Sequence, residues 1–242
     1  MKIAVDTHCH SIASGHAYST IDELAAGARK ARLKGFVLTE HGPALQGFPH
    51  PYFFGNLKAL PLKLHGVRLF RGVELNIIDD AGGVDLSPKY IRHLDFVMAG
   101  LHEGCFPPQS AAENTKALTA AIANPLVDAI SHPGNPAFPV DLEEVVKCAV
   151  RCGKALEINN SSFRVRQGSD ATCRLVVRLA AKYGALLCCG SDAHYRLDVG
   201  NLKTALQLLM EERIHPDQVI NSSYSSFVEF TEKRKTERRA VG

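Results

Sequence analysis

No apolar run in this 242-residue sequence approaches the roughly 18 residues a membrane helix needs, which excludes a helical membrane protein. The opening MKIAVDTHCH reaches Asp6 before any apolar core of a secretory signal can form, so the expected location is the cytoplasm. Seven cysteines make no C-x-x-C pair and no zinc-finger spacing. Cys188 and Cys189 fall in an apolar stretch and Cys148 and Cys152 stand one helical turn apart, so they read as small buried hydrophobes in a reducing compartment. Neither sign of charge is in excess through the body: residues 1–231 carry 23 basic and 23 acidic side chains, and the net +3 comes from the last eleven residues, EKRKTERRAVG. A neutral body is poorly suited to an extended nucleic-acid groove, so no stable nucleic-acid partner is expected. Residues 232–242 read as a frayed, disordered basic tail. With no linker and no low-complexity segment, residues 1–231 read as one domain, and 45% hydrophobic with 22% charged residues is ordinary for a soluble globular chain.

What the sequence does contain is a series of apolar runs that each end in a side chain able to bind metal: IAVDTHCH, FVLTEH, FRGVE, FVMAGLH, LVDAISH and LLCCGSDAH. His10, His41, Glu74, His102, His132, Asn159 and Asp192 follow one another at intervals of 31, 33, 28, 30, 27 and 33 residues. Each interval is the length of one strand-helix unit. Strands alternating with helices predict a parallel sheet, with chemistry at the carboxyl ends of its strands. Seven such ends predict a seven-stranded (β/α)7 barrel of the α/β class.

The first four strands are predicted at Ile3–Cys9, Phe36–Glu40, Val67–Leu75 and Leu94–Leu101, and the fifth at Asp128–Ile130. A capping box of Thr20 and Glu23 opens the first helix and Gly35 is expected to end it. Further helices are expected over Ser110–Ala123 and near Asp141–Cys152, Asp170–Tyr183 and Leu197–Glu212. The segment GPALQGFPHPYFFGN after the second strand is long, apolar and without periodicity, so it is expected to cover the mouth of the site. Within it, His50, Tyr52, Phe53 and Phe54 are candidates for contact with the organic part of a substrate.

His8 and His10 are two apart on a strand, so both rings face one side and Cys9 the other, outside the site. Asp192 and His194 repeat that spacing on the last strand, which in a closed barrel abuts the first. Glu74 ends a buried strand, where a carboxylate must be paired or coordinating; a salt bridge to Arg71 is the plain alternative to a bridge between two cations. His102 and His132 would each be structural if alone, but they share the register of the others.

Four segments, DTHCHS at 6–11, EHG at 40–42, the isolated His102 and SDAH at 191–194, resemble the motifs of the PHP (polymerase and histidinol phosphatase) superfamily over nearly the whole chain. HAYST at 16–20, SHPGNP at 131–136 and EINNSS at 157–162 are similar to the compact YcdX-type phosphatases of that superfamily. One departure is Glu40, where many relatives have Asp. The resemblance implies a distorted seven-stranded barrel holding three divalent cations, zinc first and manganese as alternative, and His and carboxylate ligands accept iron as well. It implies one cation on His8, His10, Glu74 and Asp192, a second on Glu74, His102 and His132, and a third on His16, His41 and His194. It further implies a phosphatase acting on a small phosphorylated substrate, with a hydroxide bridging two cations as nucleophile, and it allows a homotrimer. Glu74 and Asp192 would be catalytic, Asp192 by orienting the attacking water or accepting a proton. Weaker candidates for substrate contact are Asn159, Asn160 and Ser161 after the sixth strand, and Arg164, Arg166 and Arg196, whose guanidinium groups suit phosphate. A phosphodiesterase or nuclease and a non-catalytic metal-binding domain are the competing readings, the latter disfavoured because no ligand position is lost.

Overall fold

The computed structural model describes residues 1–240. Its strands in chain order are β1 (Val5–Cys9), β2 (Gly35–Leu38), β3 (Lys63–Leu64), β4 (Val67–Asn76), β5 (Phe96–Gly100), β6 (Ala129–Ile130), β7 (Ala155–Asn159) and β8 (Leu186–Gly190). The helices are α1 (Ile21–Lys30), α2 (Pro51–Asn56), α3 (Pro88–Ile91), α4 (Ala111–Ala123), α5 (Leu142–Cys152), α6 (Ser162–Val165), α7 (Ser169–Tyr183), α8 (Lys203–Glu211) and α9 (Tyr224–Ala240). Seven strands pair in parallel in the order β1-β2-β4-β5-β6-β7-β8, and β3 adds only a short antiparallel hairpin onto β4. The barrel is nearly closed. Between β8 and β1, His10 N donates to Ala193 O at 2.9 Å at the mouth, while lower down the Asn221 amide donates to Val5 O (2.8 Å) and Cys189 O (2.7 Å).

Two apolar layers hold this shape. The outer one packs α1, α4, α5, α7 and α8 on the strands through residues such as Leu24, Leu118, Val145, Val176 and Leu208. The inner one fills the amino-terminal half of the barrel with Val5, Val37, Phe70, Phe96, Met98 and Ala155, and Phe227 of α9 closes it from below. Both capping boxes read as sequence rules predict: Thr20 with Glu23 on α1 and Ser110 with Glu113 on α4. Helix α1 stops at Lys30, however, with Arg32 at φ 59, and Gly35 opens β2 rather than ending the helix. The helix expected from Leu197 starts only at Lys203.

The expected tail is the main correction. Residues 232–240 are the second half of α9, with Phe227, Thr231, Arg234 and Arg238 on its buried face. Arg234 Nε donates to Asp128 Oδ1 at 3.2 Å and Arg238 Nη1 donates to Asp128 Oδ2, with Arg238 and Asp128 both fully buried. Lys235 pairs with Asp95 at 2.5 Å. Net charge could not distinguish a solvated tail from a helix whose cations are spent on buried carboxylates. Val241 and Gly242 lie outside the described residues.

Lys154 sits beside this network, donating to Asn124 O at 3.1 Å and to Val127 O. Burial, then Arg234, pushes its ammonium down to about 8 from 10.5. In the unfolded chain it keeps its proton to about 10.5, so between those values the unfolded state binds more protons and stability must rise with pH. Lys154→Met is expected to flatten that rise, read as urea midpoints measured from pH about 7 to about 10.5. An unchanged pH slope in the variant would show that Lys154 is not its source.

Candidate metal centre

The carboxyl ends of the strands deliver all nine expected donors to one place. On β1 the pairing register with β2 shifts between Asp6 and Cys9. That irregularity lets Val5 fill the barrel interior while Cys9 joins the outer layer and both His8 and His10 turn inward, as a bulge beside a functional site does. His132 and Asp192 take positive φ, 33° and 55°, as the chain turns out of β6 and β8. Left-handed backbone at a residue other than glycine costs about 1–3 kcal/mol and is kept where the side chain must point somewhere particular.

Three pairs of ring nitrogens then face each other: His8 and His10 Nε2 at 2.9 Å, His102 and His132 Nε2 at 3.3 Å, and His16 and His194 Nε2 at 2.7 Å. In five of these six rings the other nitrogen already has an acceptor, which fixes the tautomer. His8 Nδ1 donates to Glu157 Oε1 (2.7 Å), His16 Nδ1 to Ser14 O (2.8 Å) and His194 Nδ1 to Asp192 O (2.9 Å). His102 Nδ1 donates to Asn76 Oδ1 at 2.7 Å. His10 Nδ1 donates to Ser14 Oγ at 3.2 Å, because the Ser14 hydroxyl gives its own proton to Glu40 Oε2. Rings held this way would, if neutral, turn lone pairs toward one another, which is unfavourable unless a proton or a metal cation lies between them.

Glu74, fully buried, joins the pairs. Its Oε2 lies 3.2 Å from His8 Nε2, 3.5 Å from His10 Nε2 and 3.0 Å from His41 Nδ1, while Oε1 lies 3.3 Å from His102 Nε2 and 3.0 Å from His132 Nε2. Yet Glu74 Oε2 and His41 Nδ1 make no hydrogen bond: they are close but misaligned. Orphaned buried donor atoms converging on common points fit a divalent cation, and three overlapping groups could each hold one: His8, His10 and Glu74; His10, His41 and His194; His41, Glu74 and His102. Asp192 Oδ1 stands 3.3 Å from His10 Nε2 and 3.6 Å from His8 Nε2.

The local charges agree. Burial opposes ionisation of Glu74, but His8, His41 and His102 outweigh it and hold the carboxyl well below its usual range. Asp192 is held low in the same way against burial, by His8, His10 and Arg166. His10 is pushed well below the usual imidazole range by burial and His41, and His132 down to about 4 by burial and Arg166. His8 alone goes up: Glu157, Glu74 and Asp192 overcome its burial, so without a metal one proton stands there in place of a cation.

A cavity of about 450 Å³ opens above, lined by seven of the nine donors together with Leu45, Phe48, Ser161, Arg164, Val165 and Arg166. The Phe48 ring meets His16 and His41 edge-on at 5.5 and 5.0 Å. The covering segment therefore reaches the mouth, but through Leu45 and Phe48. The expected contacts lie elsewhere: His50 caps α2 by accepting from Tyr52 N, Tyr52 and Phe53 face Tyr90 across an open cleft, and Phe54 is buried in the core. Arg71 donates to Leu60 O at 2.9 Å and does not reach Glu74.

Among the weaker candidates, Ser161, Arg164 and Arg166 line the cavity, and Arg166 Nη1 donates to Ser162 Oγ at 2.9 Å and stands 3.5 Å from Asp192 Oδ2. Asn159 does not line it, since both amide protons are spent on Glu157 Oε2 and Asp192 Oδ2 at 3.2 Å. Asn160 accepts from Ala205 N and lines an adjoining cleft, and Arg196 lines another beside Gly27 of α1. Sequence reading missed Glu157, Ser14, Asn76 and Asp85. Alternation on β7 places Glu157 on the face of Asn159 and could have revealed it. A Cβ at Gly190 would lie 2.3 Å from Glu157 Oε1 and 2.4 Å from His8 Cβ, so only glycine there allows the pair.

A parallel barrel whose mouth gathers imidazoles around buried carboxylates suits a metal-dependent hydrolase. The chain belongs to the PHP domain family, which matches residues 6–240. It is 47% identical over 238 residues to a probable phosphatase of Acetivibrio thermocellus, covering 98% of each chain. A probable phosphatase of Shewanella sediminis is 43% identical over 235 residues, covering 97% of this chain and 96% of that one. Among solved structures, the fold is shared with histidinol phosphate phosphatase from Lactococcus lactis, solved with zinc, L-histidinol and phosphate, at a TM-score of 0.66 and 16% identity over 89% of this chain and 95% of that one.

Proposed function

We propose that the chain is a phosphatase, a hydrolase of phosphoric ester bonds that removes phosphate from a small phosphomonoester with three divalent cations. The enzyme class is supported by relatives named as probable phosphatases that share nearly half of its residues over their full length. The observation that carries the trinuclear reading is the set of three facing nitrogen pairs joined by the two oxygens of Glu74. The first cation would be held by His8, His10, Glu74 Oε2 and Asp192 Oδ1, the second by Glu74 Oε1, His102 and His132, and the third by His16 and His194 with His41. Zinc suits imidazole and carboxylate, with manganese or iron as alternatives, and zinc accompanies phosphate in the Lactococcus lactis enzyme of the same fold.

Bound cations would supply a water acidic near neutral pH and neutralise charge on the phosphoryl group. The chain's own residues do the rest. Arg166 and Arg164 present guanidinium groups to phosphate oxygens, and Ser161 adds a hydroxyl. Asp192, held deprotonated and braced by Asn159 and Arg166, would hold the first cation and could orient the attacking water. A cavity of about 450 Å³ suits a small molecule better than a polymer.

The test is hydrolysis of an aryl phosphomonoester beside an aryl phosphodiester by zinc- or manganese-loaded protein, with Asp192→Ala as control. Faster monoester cleavage, lost in the variant, is expected. Preference for the diester would move the assignment to a phosphodiesterase, and inactivity on both with three ions bound would leave a metal-binding role.

A further inference from the structure

We propose that Asp85 is a positioning residue for the metal centre: it fixes the orientation of the Asn76 amide, and through it the tautomer of His102. The inference rests on the phosphatase reading and deepens it, because the readout is the ring of one metal donor. Asp85 lies in the loop between β4 and α3. Its Oδ1 accepts from Asn76 N (3.0 Å), and its Oδ2 accepts from Asn76 Nδ2 (2.6 Å) and from Ala44 N (2.9 Å). The second amide proton of Asn76 goes to Gly42 O at 3.1 Å. Every hydrogen-bonding group of the Asn76 side chain is therefore assigned.

A carboxylate can only accept, so it must face the NH2 of Asn76 and not its oxygen. A flipped amide would set Oδ1 against both Asp85 Oδ2 and Gly42 O, three acceptors with no proton among them. Asn76 Oδ1 consequently points at His102, where it accepts the Nδ1 proton at 2.7 Å. A neutral ring so held carries no proton on Nε2, the nitrogen that faces Glu74 Oε1 and His132 Nε2, each at 3.3 Å. The same carboxylate pins the start of the segment that carries Leu45 and Phe48 over the cavity. It comes so close to Gly42 that a Cβ there would lie 2.2 Å from Asp85 Oδ1.

The experiment uses metal-free, histidine-15N-labelled protein, with His102 assigned by its loss in His102→Gln. In the wild type the ring is expected to show the Nδ1–H tautomer. In Asp85→Asn the residue at 85 can offer NH2 or oxygen, the Asn76 flip is opposed by the Gly42 carbonyl alone, and the His102 nitrogens should shift toward a mixture. Zinc affinity, measured by competition with a chromophoric chelator, should weaken about 10–100-fold for one ion. The exchanged pair, Asn76→Asp with Asp85→Asn, again gives His102 an acceptor and should restore the Nδ1–H tautomer, which a merely structural role would not do. An unchanged His102 tautomer in Asp85→Asn overturns the proposal, whatever happens to stability. If that variant does not fold, the exchanged pair decides alone: failure to recover the tautomer refutes the proposal. Should the wild type retain no zinc, the phosphatase reading fails while the tautomer still judges Asp85.

Discussion

Glu74→Gln should fold, lose metal from two of the three positions, and hydrolyse an aryl phosphomonoester on the order of a thousandfold more slowly or worse. The substitution keeps size and shape, so packing around a fully buried residue changes little. What changes is charge and donor character. Oε2 faces three ring nitrogens and Oε1 two, and among the described residues no other carboxylate lies against ring nitrogens of both sets. An amide replaces one of those oxygens with NH2 and leaves no negative charge between the two groups of rings. Without that carboxylate the second site would keep imidazoles alone and the first only Asp192 beside its imidazoles, and several kcal/mol of charge stabilisation in the transition state would go with a lost ion. Steady-state kinetics beside metal analysis of the same sample check this. Retention of three ions and a tenth or more of the activity would refute the bridging role.

The largest effect on stability is expected from Asp128→Ala, at about 3–5 kcal/mol. That carboxylate accepts from Arg234, from Arg238 and from Val97 N at 2.9 Å, and removing it leaves two buried guanidinium groups without their shared counter-charge. Lys154, already pushed down beside them, worsens the imbalance. A melting temperature lower by roughly 10 °C follows for a chain of this size. Replacing Asp128 and both arginines together by apolar residues of similar volume should cost less than removing Asp128 alone, since the penalty lies in the stranded charge. Urea denaturation checks both. A loss under about 1 kcal/mol for Asp128→Ala would mean that water reaches the network and screens it.

Strand ends were the legible part of this chain. Strand ends carrying His, Glu, Asn or Asp every 27–33 residues specify a parallel barrel, and most of the nine donors converge because each run fixes its own last residue at the same rim. The groups that aim those donors were not legible. Ser14 acts from a one-turn 3-10 helix, and Asp85 from a loop with no periodicity, so their partners are set by tertiary folding. Alternation could have given Glu157, but a glutamate in an apolar strand has no pattern naming its partner. The covering segment was placed correctly and its contacts were not, because a short helix begins at Pro51 and carries the aromatics toward α3. The last helix was misread for the opposite reason: composition reports how many cations there are, and only the fold reports that Asp128 and Asp95 take three of them.

Among the described residues α9 and the Phe227 ring stopper the amino-terminal end of the barrel, which leaves the mouth as the way in and out. Alcohol and inorganic phosphate must leave by the opening through which the ester came in, and neither can be displaced from behind. On the proposed reading phosphate, small and facing Arg164 and Arg166, would be the product best placed to linger there. Inorganic phosphate is then expected to inhibit turnover in competition with the ester.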